Sequence, residues 1–205
     1  MTKSVIILLS CCLIFFAGYR YFTADRIEVK NAQPSGSSIV CFGDSLTAGT
    51  GATKGMDYPS QLARKIGKEI INAGIPGDTT ARALARLEED VLSQSPRIVL
   101  ITLGGNDLKN GVPKEVAFQN LKAIIEAIQA KGALVVVGGV DIPIWGRGFG
   151  DGYRVLCKDS GAVLIPNVFD GIMGNPELMS DSIHPNDAGY TIMTERFYEA
   201  VKPYL

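Results

Sequence analysis

Histidine is nearly absent from this chain of 205 residues, which contains one, His184. No Cys/His cluster offers a zinc site, and we expect no metal. A mechanism that requires an imidazole base must therefore use His184. A lone histidine is by itself more often a surface or core residue than a base, so the residues around it decide between these interpretations.

The sequence also lacks the motifs and the charge that are typical of nucleotide and nucleic-acid binding. Its glycine-rich stretches match neither G-x-x-x-x-G-K-[ST] nor G-x-G-x-x-G, so we expect no cofactor. The formal net charge is -1 and no cluster of Lys and Arg forms a basic patch, which argues against nucleic acid. Asp44, Asp78 and Asp107 show no second-ligand spacing for a metal, and we expect them to cap helices or brace turns.

A serine follows the first apolar run of the putative domain. Residues 39–42 are apolar and partly β-branched, and Gly43, Asp44 and Ser45 come directly after them, which is the pattern of a strand that ends in a tight turn. A serine there projects its hydroxyl from the carboxyl edge of a sheet. The G-x-S-x-G elbow of α/β-hydrolases is absent, because Thr47 stands where its last glycine would be. Ser45 therefore belongs to a different serine arrangement or to no site.

The segment around His184 suits a base for that serine. A serine hydroxyl is a poor nucleophile and usually needs an imidazole that is itself oriented by a carboxylate. Asp181 lies three residues before His184, near enough in a bent loop to accept from one ring nitrogen while the other faces Ser45. Pro185 makes a continuous helix improbable here and favours such a loop. We predict that Ser45, His184 and Asp181 are catalytic.

Acyl transfer also needs hydrogen-bond donors for the developing oxyanion. Gly74 follows a strand-like run, and a glycine there lets a backbone N–H approach a substrate closely. Asn106 follows the third strand-like run, and its side-chain amide is a second candidate donor. Each residue alone is an ordinary turn former. With the Ser45 N–H they complete a predicted oxyanion hole.

The motifs resemble those of the GDSL or SGNH hydrolases. Four blocks carry the likeness in the family's order from about residue 39 to the C terminus: GDSLTAGTGA, NAGIPGDTT, LGGND and DSIHPNDAGY. The likeness is greatest to the bacterial thioesterase I, lysophospholipase and arylesterase branch. It implies a flavodoxin-like α/β sandwich of three layers with a five-stranded parallel sheet, and the hydrolysis of carboxylic esters through an acyl-enzyme on Ser45.

The same resemblance assigns roles to further residues. The family's Ser, Gly, Asn and His blocks match Ser45, Gly74, Asn106 and His184, and its acidic partner matches Asp181. An Ile-Pro loop follows a long helix in that branch. The corresponding residues here are expected to form a wall for an acyl or aryl group of a small neutral or lipid-like ester: Ile142, Ile144 and Trp145.

Two alternatives remain open at this point. A carbohydrate O-acetyl esterase uses the same machinery on a smaller acyl group. A membrane-tethered binding module without turnover is a second alternative, although a purely binding role gives no reason to keep all five residues of the constellation. The sequence does not predict the oligomeric state.

Strand-like and helical patterns alternate along the chain, which indicates one α/β domain over 39–205. Apolar strands are predicted near 39–42, 69–72, 98–102, 134–137 and 163–165, and the helices between them imply a parallel sheet that is covered on both faces. Apolar stripes at helical spacing are expected in the core. They comprise Leu84, Leu87 and Val91; Ala117, Leu121, Ile124, Ile125 and Ile128; and Met193, Phe197, Ala200 and Val201, with Asn186 or Asp187 capping the last helix.

The first residues differ from the rest. Residues 5–17 are apolar and follow Lys3, so 1–23 is predicted to be a signal peptide or a membrane anchor. Phe16 and Phe22 spoil the small-x-small cleavage pattern, which favours an uncleaved anchor. The Lys and Arg distribution does not fix the orientation, but such leaders usually direct export, and we expect a periplasmic or extracellular protein. Residues 24–38 are predicted to be a tether.

Four cysteines are present, and we expect no disulfide. Cys11 and Cys12 fall in the leader. Cys41 lies in the first predicted strand and Cys157 in a helical segment, and both are expected to be buried free thiols.

Overall fold

The structure is a computed structural model that describes residues 28–142 and 148–205. The predicted leader therefore lies outside the described residues. Ile144 and Trp145 of the predicted substrate wall lie outside them as well.

Five parallel strands form the central sheet. They are β1 (Ser38–Gly43), β2 (Ile71–Gly74), β3 (Pro96–Thr102), β4 (Leu134–Gly138) and β5 (Val163–Ile165). Their order in the sheet is β2-β1-β3-β4-β5, and every neighbouring pair is parallel. β3 and β4 are almost wholly buried, because helices cover a parallel sheet on both faces and leave no side for polar residues. The predicted five-stranded parallel α/β sheet is confirmed.

The strand boundaries differ from prediction mainly at β2. The sequence places this strand at 69–72, whereas the structure pairs Ile71–Gly74 with β1 and sets Gly74 opposite Gly43. Glycine disfavours strands, so residue propensity ends β2 too early, while pairing with β1 carries it on. The other shifts are small: β1 and β3 begin earlier, at Ser38 and Pro96, and β4 ends at Gly138.

Seven α-helices flank the sheet within the described residues. They are α1 (Ser45–Ala48), α2 (Tyr58–Ile66), α3 (Thr80–Asp90), α4 (Gly105–Lys109), α5 (Lys114–Ala130), α6 (Phe149–Ser160) and α7 (Asp187–Val201). Short 3-10 helices lie at Leu92–Gln94 and Lys202–Tyr204. The apolar stripes predicted for α3, α5 and α7 face the core, with Leu84 and Ala200 only partly buried. Asn186 caps α7 by accepting from the N–H groups of Ala188 and Gly189.

The order of the strands determines where a site can form. The chain passes from β1 outward to the edge strand β2 and then returns to β3 on the other side of β1. Ligand sites of open parallel sheets lie beyond the carboxyl ends of the strands, at the point where the winding reverses. Ser45 follows β1 and Asn106 follows β3, so both lie at this point.

Residues 28–37 lie against the amino edge of the sheet, opposite the edge that carries Ser45. The Lys30 N–H donates to the Gly161 carbonyl at 2.9 Å, and the Ser35 N–H donates to the Gly132 carbonyl at 3.1 Å. The Asn31 side chain donates to the carbonyls of Gln129 and Ala133, each at 2.9 Å. The described part of the predicted tether thus packs on the domain. No helix in 28–142 or 148–205 is both long and apolar enough to cross a bilayer.

Both cysteines of the described chain are free and buried, as expected. Cys41 lies in the middle of β1, and Cys157 lies on the inner face of α6. Burial raises the pKa of Cys157 to about 12, because the charged thiolate is poorly solvated there. Neither thiol is set up as a nucleophile.

Candidate active site

Ser45 lies at the first position of α1, directly after the turn that ends β1. The Asp44 side chain caps this helix by accepting from the Leu46 N–H at 3.0 Å. Gly49 ends the helix after four residues with a left-handed φ of 85°. The N–H groups of a first helical turn have no intrahelical acceptor, so the Ser45 N–H remains available to a ligand.

A buried group of hydroxyls anchors α1 to the sheet. The Thr47 hydroxyl bonds to the Tyr58 hydroxyl at 3.1 Å and to the hydroxyl of Thr102 at the end of β3. All three residues are fully buried. The helix that carries Ser45 is therefore fixed from below by two other elements.

His184 connects Ser45 with Asp181. Its Nε2 lies 3.0 Å from the Ser45 Oγ, and its Nδ1 lies 2.7 Å from Asp181 Oδ2. Asp181 Oδ1 accepts from the backbone N–H groups of Ile183 and His184, each at 2.8 Å. These hydrogen bonds, with the one from the His184 ring as the largest influence, lower the pKa of Asp181 to about 2. The arrangement is that of a nucleophile, a base and an orienting carboxylate.

The loop that carries His184 is braced on both sides. The Ser180 N–H donates to the His184 carbonyl at 2.9 Å, which closes the loop on itself. Asp187, the first residue of α7, accepts from the N–H and the hydroxyl of Thr53 at 2.7 Å each, and this ties the loop to the segment after α1. The serine and the histidine are thereby held together although 139 positions separate them in sequence.

Asn106 lies at the start of α4 and contacts Asp44, the residue before Ser45. Its Nδ2 donates to the Asp78 carbonyl at 2.9 Å and, over a longer contact of 3.3 Å, to Asp44 Oδ2. Hydrogen bonds weaken with distance, so the contact with Asp44 is the easier one to replace. The amide predicted to be an oxyanion donor is thus present at the same edge as Ser45.

The Gly74 N–H is not free to act as the predicted oxyanion donor. It already donates to Asn72 Oδ1 at 3.0 Å. A Cβ on Gly74 would overlap the backbone of Thr47 and Ala48, so this position needs a glycine in order to let α1 pack against β2. The glycine signal in the sequence is real, but its cause is close packing.

Gly77, which the sequence reasoning missed, has the properties expected of the donor. Residues 75–78 form a type II turn with Pro76 and Gly77 at its centre, closed by the Asp78 N–H on the Ile75 carbonyl at 3.1 Å. The Ile75 N–H donates to the Gly43 carbonyl at 3.0 Å, and proline has no N–H. Of residues 74–78, only Gly77 has an N–H without a protein acceptor among the described contacts. The Pro-Gly pair was the sequence signal for this turn.

Three buried carboxyl groups lie behind the site in structural roles, as expected. Asp107 accepts from the N–H and the hydroxyl of Thr80, at 2.9 and 2.7 Å. Asp78 pairs with Arg86 at 2.8 Å. Burial raises the pKa of Asp44 to about 7, and the neighbouring Asp78 and Asp107 add to this, while the Leu46 N–H opposes it.

The predicted acyl wall is described at one position. Ile142 follows β4 and is partly buried against the core. Ile144 and Trp145, the other two members, lie outside the described residues. Their role remains a prediction.

Comparison with known proteins relates this geometry to one family. The family model described as "GDSL-like Lipase/Acylhydrolase family" matches residues 41–192. An arylesterase of Vibrio mimicus is 33% identical over 165 residues, which cover 75% of this chain and 82% of that protein. The "Thioesterase 1/protease 1/lysophospholipase L1" of Escherichia coli K12 is 29% identical over 174 residues, with coverages of 81% and 84%. A crystal structure of TesA superposes with a TM-score of 0.78 and 28% identity, covering 82% of this chain and all of that one.

Proposed function

This chain belongs to the GDSL-like lipase/acylhydrolase family and is an ester-hydrolysing enzyme, and on that premise we propose that Ser45 carries the acyl group during the reaction. The observation that carries the proposal is the chain of contacts from Ser45 Oγ through His184 to Asp181, with distances of 3.0 and 2.7 Å. These are hydrogen-bond distances for a nucleophile and its base. Asp181 fixes the ring so that Nε2 faces the serine.

The reaction follows from these contacts. Ser45 Oγ attacks the acyl carbon while His184 Nε2 takes the hydroxyl proton, and His184 then gives that proton to the departing alcohol, phenol or thiol. Water attacks the acyl-enzyme with His184 again as base, which releases the acid and restores Ser45. Asp181 stabilises the imidazolium in both steps.

We propose three donors for the oxyanion: the N–H groups of Ser45 and Gly77, and the Asn106 side chain. The support for Gly77 is that its N–H is the uncommitted one in its turn. The oxyanion takes the place of Asp44 Oδ2 at the longer of the two Asn106 contacts. Gly77 replaces Gly74 in this proposal.

For the substrate, we propose an aryl ester, a lysophospholipid or an acyl thioester. The names of the relatives support these classes, since one is an arylesterase and another a thioesterase and lysophospholipase. The wall at Ile142, Ile144 and Trp145 is the proposed contact for the acyl or aryl group.

A labelling experiment tests the nucleophile. A fluorophosphonate should modify wild-type protein at Ser45, and Ser45→Ala should not be modified. The same proteins are assayed on p-nitrophenyl and naphthyl esters of increasing acyl length, a lysophospholipid, an acyl-CoA and an acetylated sugar. Preference for the acetylated sugar favours a carbohydrate O-acetyl esterase, and a wild-type protein that is neither labelled nor active contradicts the proposal.

Asn106→Ala tests the oxyanion role. Removal of one oxyanion donor typically costs about a hundredfold to a thousandfold in kcat. Since the amide acts mainly in the transition state, kcat and kcat/KM should fall together while KM changes little. Full activity in well-folded Asn106→Ala would leave Asn106 only its contacts with the turn.

We also propose that the protein is exported to the periplasm or the extracellular space and is held at the membrane by its N-terminal segment. The apolar run 5–17 after Lys3 supports this. The full-length protein should then stay with the membrane fraction in a high-salt wash, because screening does not release an apolar anchor. A soluble form that starts after the leader would indicate a cleaved signal instead.

A further inference from the structure

Arg86 on α3 connects the two backbone segments that surround Ser45. Its Nε donates to Asp78 Oδ2 at 2.8 Å, and its Nη2 donates to the Gly43 carbonyl at 3.0 Å. Its Nη1 donates to Asp90 at 2.6 Å, and its guanidinium lies 4.4 Å from the centre of the Phe42 ring. The side chain is only 14% exposed. Because the guanidinium is planar and rigid, its hydrogen bonds fix the orientation of the acceptor groups as well as their distance.

Asp78, the first of these partners, makes hydrogen bonds that support two of the proposed oxyanion donors, Gly77 and Asn106. Its N–H closes the turn that presents Gly77, and its carbonyl accepts from the Asn106 side chain at 2.9 Å. Its carboxylate is 1% exposed and takes its direct 2.8 Å contact from Arg86. The position of Asp78 therefore affects two proposed donors at once.

Gly43, the second partner, lies two residues before Ser45. Its carbonyl accepts from the Ile75 N–H as well as from Arg86, each at 3.0 Å. Arg86 thus contacts the end of β1 and the turn after β2 from the same side chain. The third proposed donor, the Ser45 N–H, lies two residues after the end of β1, so its position depends on where β1 ends.

We propose that Arg86 is a positioning residue of the oxyanion hole, which holds the Gly77 turn, Asn106 and the start of α1 in one register through Asp78 and Gly43. The inference rests on the proposed function, since it assigns Arg86 to the donors named there. Arg86 touches no reacting atom. A misplacement of about 1 Å at a reacting centre costs on the order of a hundredfold in rate. Loss of a residue that holds the three donors in place should therefore lower kcat strongly.

Arg82 provides a matched control on the same helix. Its Nε lies 3.5 Å from the other carboxylate oxygen of Asp78, but its side chain is 64% exposed and it makes no contact with Gly43 among the described hydrogen bonds. Arg82→Gln and Arg86→Gln each remove one cation from the same carboxylate. Only the second change breaks the link to β1.

The experiment measures kcat, KM, the melting temperature and the affinity for two inhibitors. A boronic acid forms a tetrahedral adduct on the serine and reports on the oxyanion hole, whereas the product carboxylic acid reports on ground-state binding. Arg86→Gln should lower kcat and boronate affinity by about a hundredfold, with KM and product affinity within about threefold. Arg82→Gln should change each of them by less than about threefold.

A second variant keeps the test decisive where a buried unpaired carboxylate prevents folding. Arg86→Lys retains the cation but cannot reach three acceptors, and it should lose about tenfold in kcat and in boronate affinity together. If Arg86→Gln does not fold, Arg86→Lys is compared with Arg82→Lys in the same assays.

The outcomes separate this inference from the proposed function. A drop in kcat without a matching drop in boronate affinity, or equal kcat values for the Arg86 and Arg82 variants, overturns the positioning role. In either case fluorophosphonate still labels Ser45 in wild type. Wild type that is not labelled at Ser45 overturns the proposed function, and the positioning role with it.

Discussion

The two halves of the active site are built in opposite ways. The half that moves protons is a short loop, in which Asp181 bonds to residues two and three positions away, and its side chain is 54% exposed. The half that stabilises charge is supported by the buried residues Asp44 and Asp78, and the contacts of Asn106 with them span 62 and 28 positions. The pairing of Asp181 with His184 therefore depends on local sequence, whereas the oxyanion donors depend on the packing of the sheet edge.

The two halves differ in how much their residues contribute to the stability of the fold as well as to catalysis. An exposed carboxylate that contacts only its own loop contributes little to the free energy of unfolding. Buried carboxyl groups such as Asp44 and Asp78 affect both the fold and the geometry of the oxyanion donors. Variants in the two halves should therefore fail in different ways.

The largest effect is expected on kcat, from Asp181→Asn in the exposed loop that carries His184. An amide keeps the acceptor for the backbone N–H groups of Ile183 and His184, but it favours the wrong ring tautomer of His184 and removes the charge that stabilises the imidazolium. We expect a loss of about ten-thousandfold in kcat. Urea unfolding should change by less than about 1 kcal/mol.

Ser182→Ala serves as its control, since Ser182 lies in the same loop, is exposed and makes no hydrogen bond among the described contacts. Its activity should stay within about twofold of wild type. If Asp181→Asn instead unfolds the protein, the proton-transfer loop is not independent of the fold, and the contrast between the halves fails.

A smaller effect, on stability, is expected from Asp44→Asn. With its pKa raised from 3.8 to about 7 by burial, folded Asp44 keeps its proton between these two values while the unfolded chain loses it. The free energy of unfolding of wild type should therefore fall relative to Asp44→Asn as the pH rises from 4 to 7, by roughly a few kcal/mol. Above this range the difference should be constant.

Urea titrations at several pH values measure this difference directly. The trend should survive in about 0.5 M salt, because a buried group is screened little. A difference that does not vary with pH would show that Asp44 ionises as it does in the unfolded chain. The Asp44 carboxylate would then carry a full negative charge next to the Asn106 side chain.

The smallest effects distinguish two glycines of the same turn region. Gly74→Ala places a Cβ into the backbone of α1 and should cost about 2–3 kcal/mol of stability, along with activity, because Ser45 moves with the helix. Gly77→Ala meets no atom within 4 Å and carries only the strain of φ 78°, about 1 kcal/mol. Urea unfolding compares them, and equal losses would contradict the assignment of Gly74 to packing.

The sequence predicts the local half of the site and misses part of the other. Ser45, Asp181 and His184 are recognisable because Ser45 follows a strand-turn pattern and Asp181 lies three residues before His184, and the structure brings the three together. The sequence pattern points to Gly74 and not to Gly77, because Gly74 is the first glycine after the strand-like run. The structure distinguishes them, because the Gly74 N–H has an acceptor and a Cβ there would overlap α1, whereas a Cβ on Gly77 would meet no atom within 4 Å.

The same limit applies elsewhere in the fold. Continuous apolar runs predict β3 and β4 well, since burial on both faces is written in their composition. The ends of β2 follow from pairing with β1, and the packing of residues 28–37 follows from contacts with loops about 60 to 130 positions away. Arg86 gives no motif at all, because its role depends on three acceptors from different elements.

The position of residues 28–37 has a practical consequence for handling this enzyme. They enter the domain at the amino edge of the sheet, and the six residues of β1 then carry the chain about 20 Å to the edge that holds Ser45. A tag, resin or sensor surface joined ahead of Glu28 is therefore attached behind the enzyme. Immobilisation through that end should leave the ester-cleaving side facing the solution, whereas coupling through an exposed residue beside His184 should obstruct it.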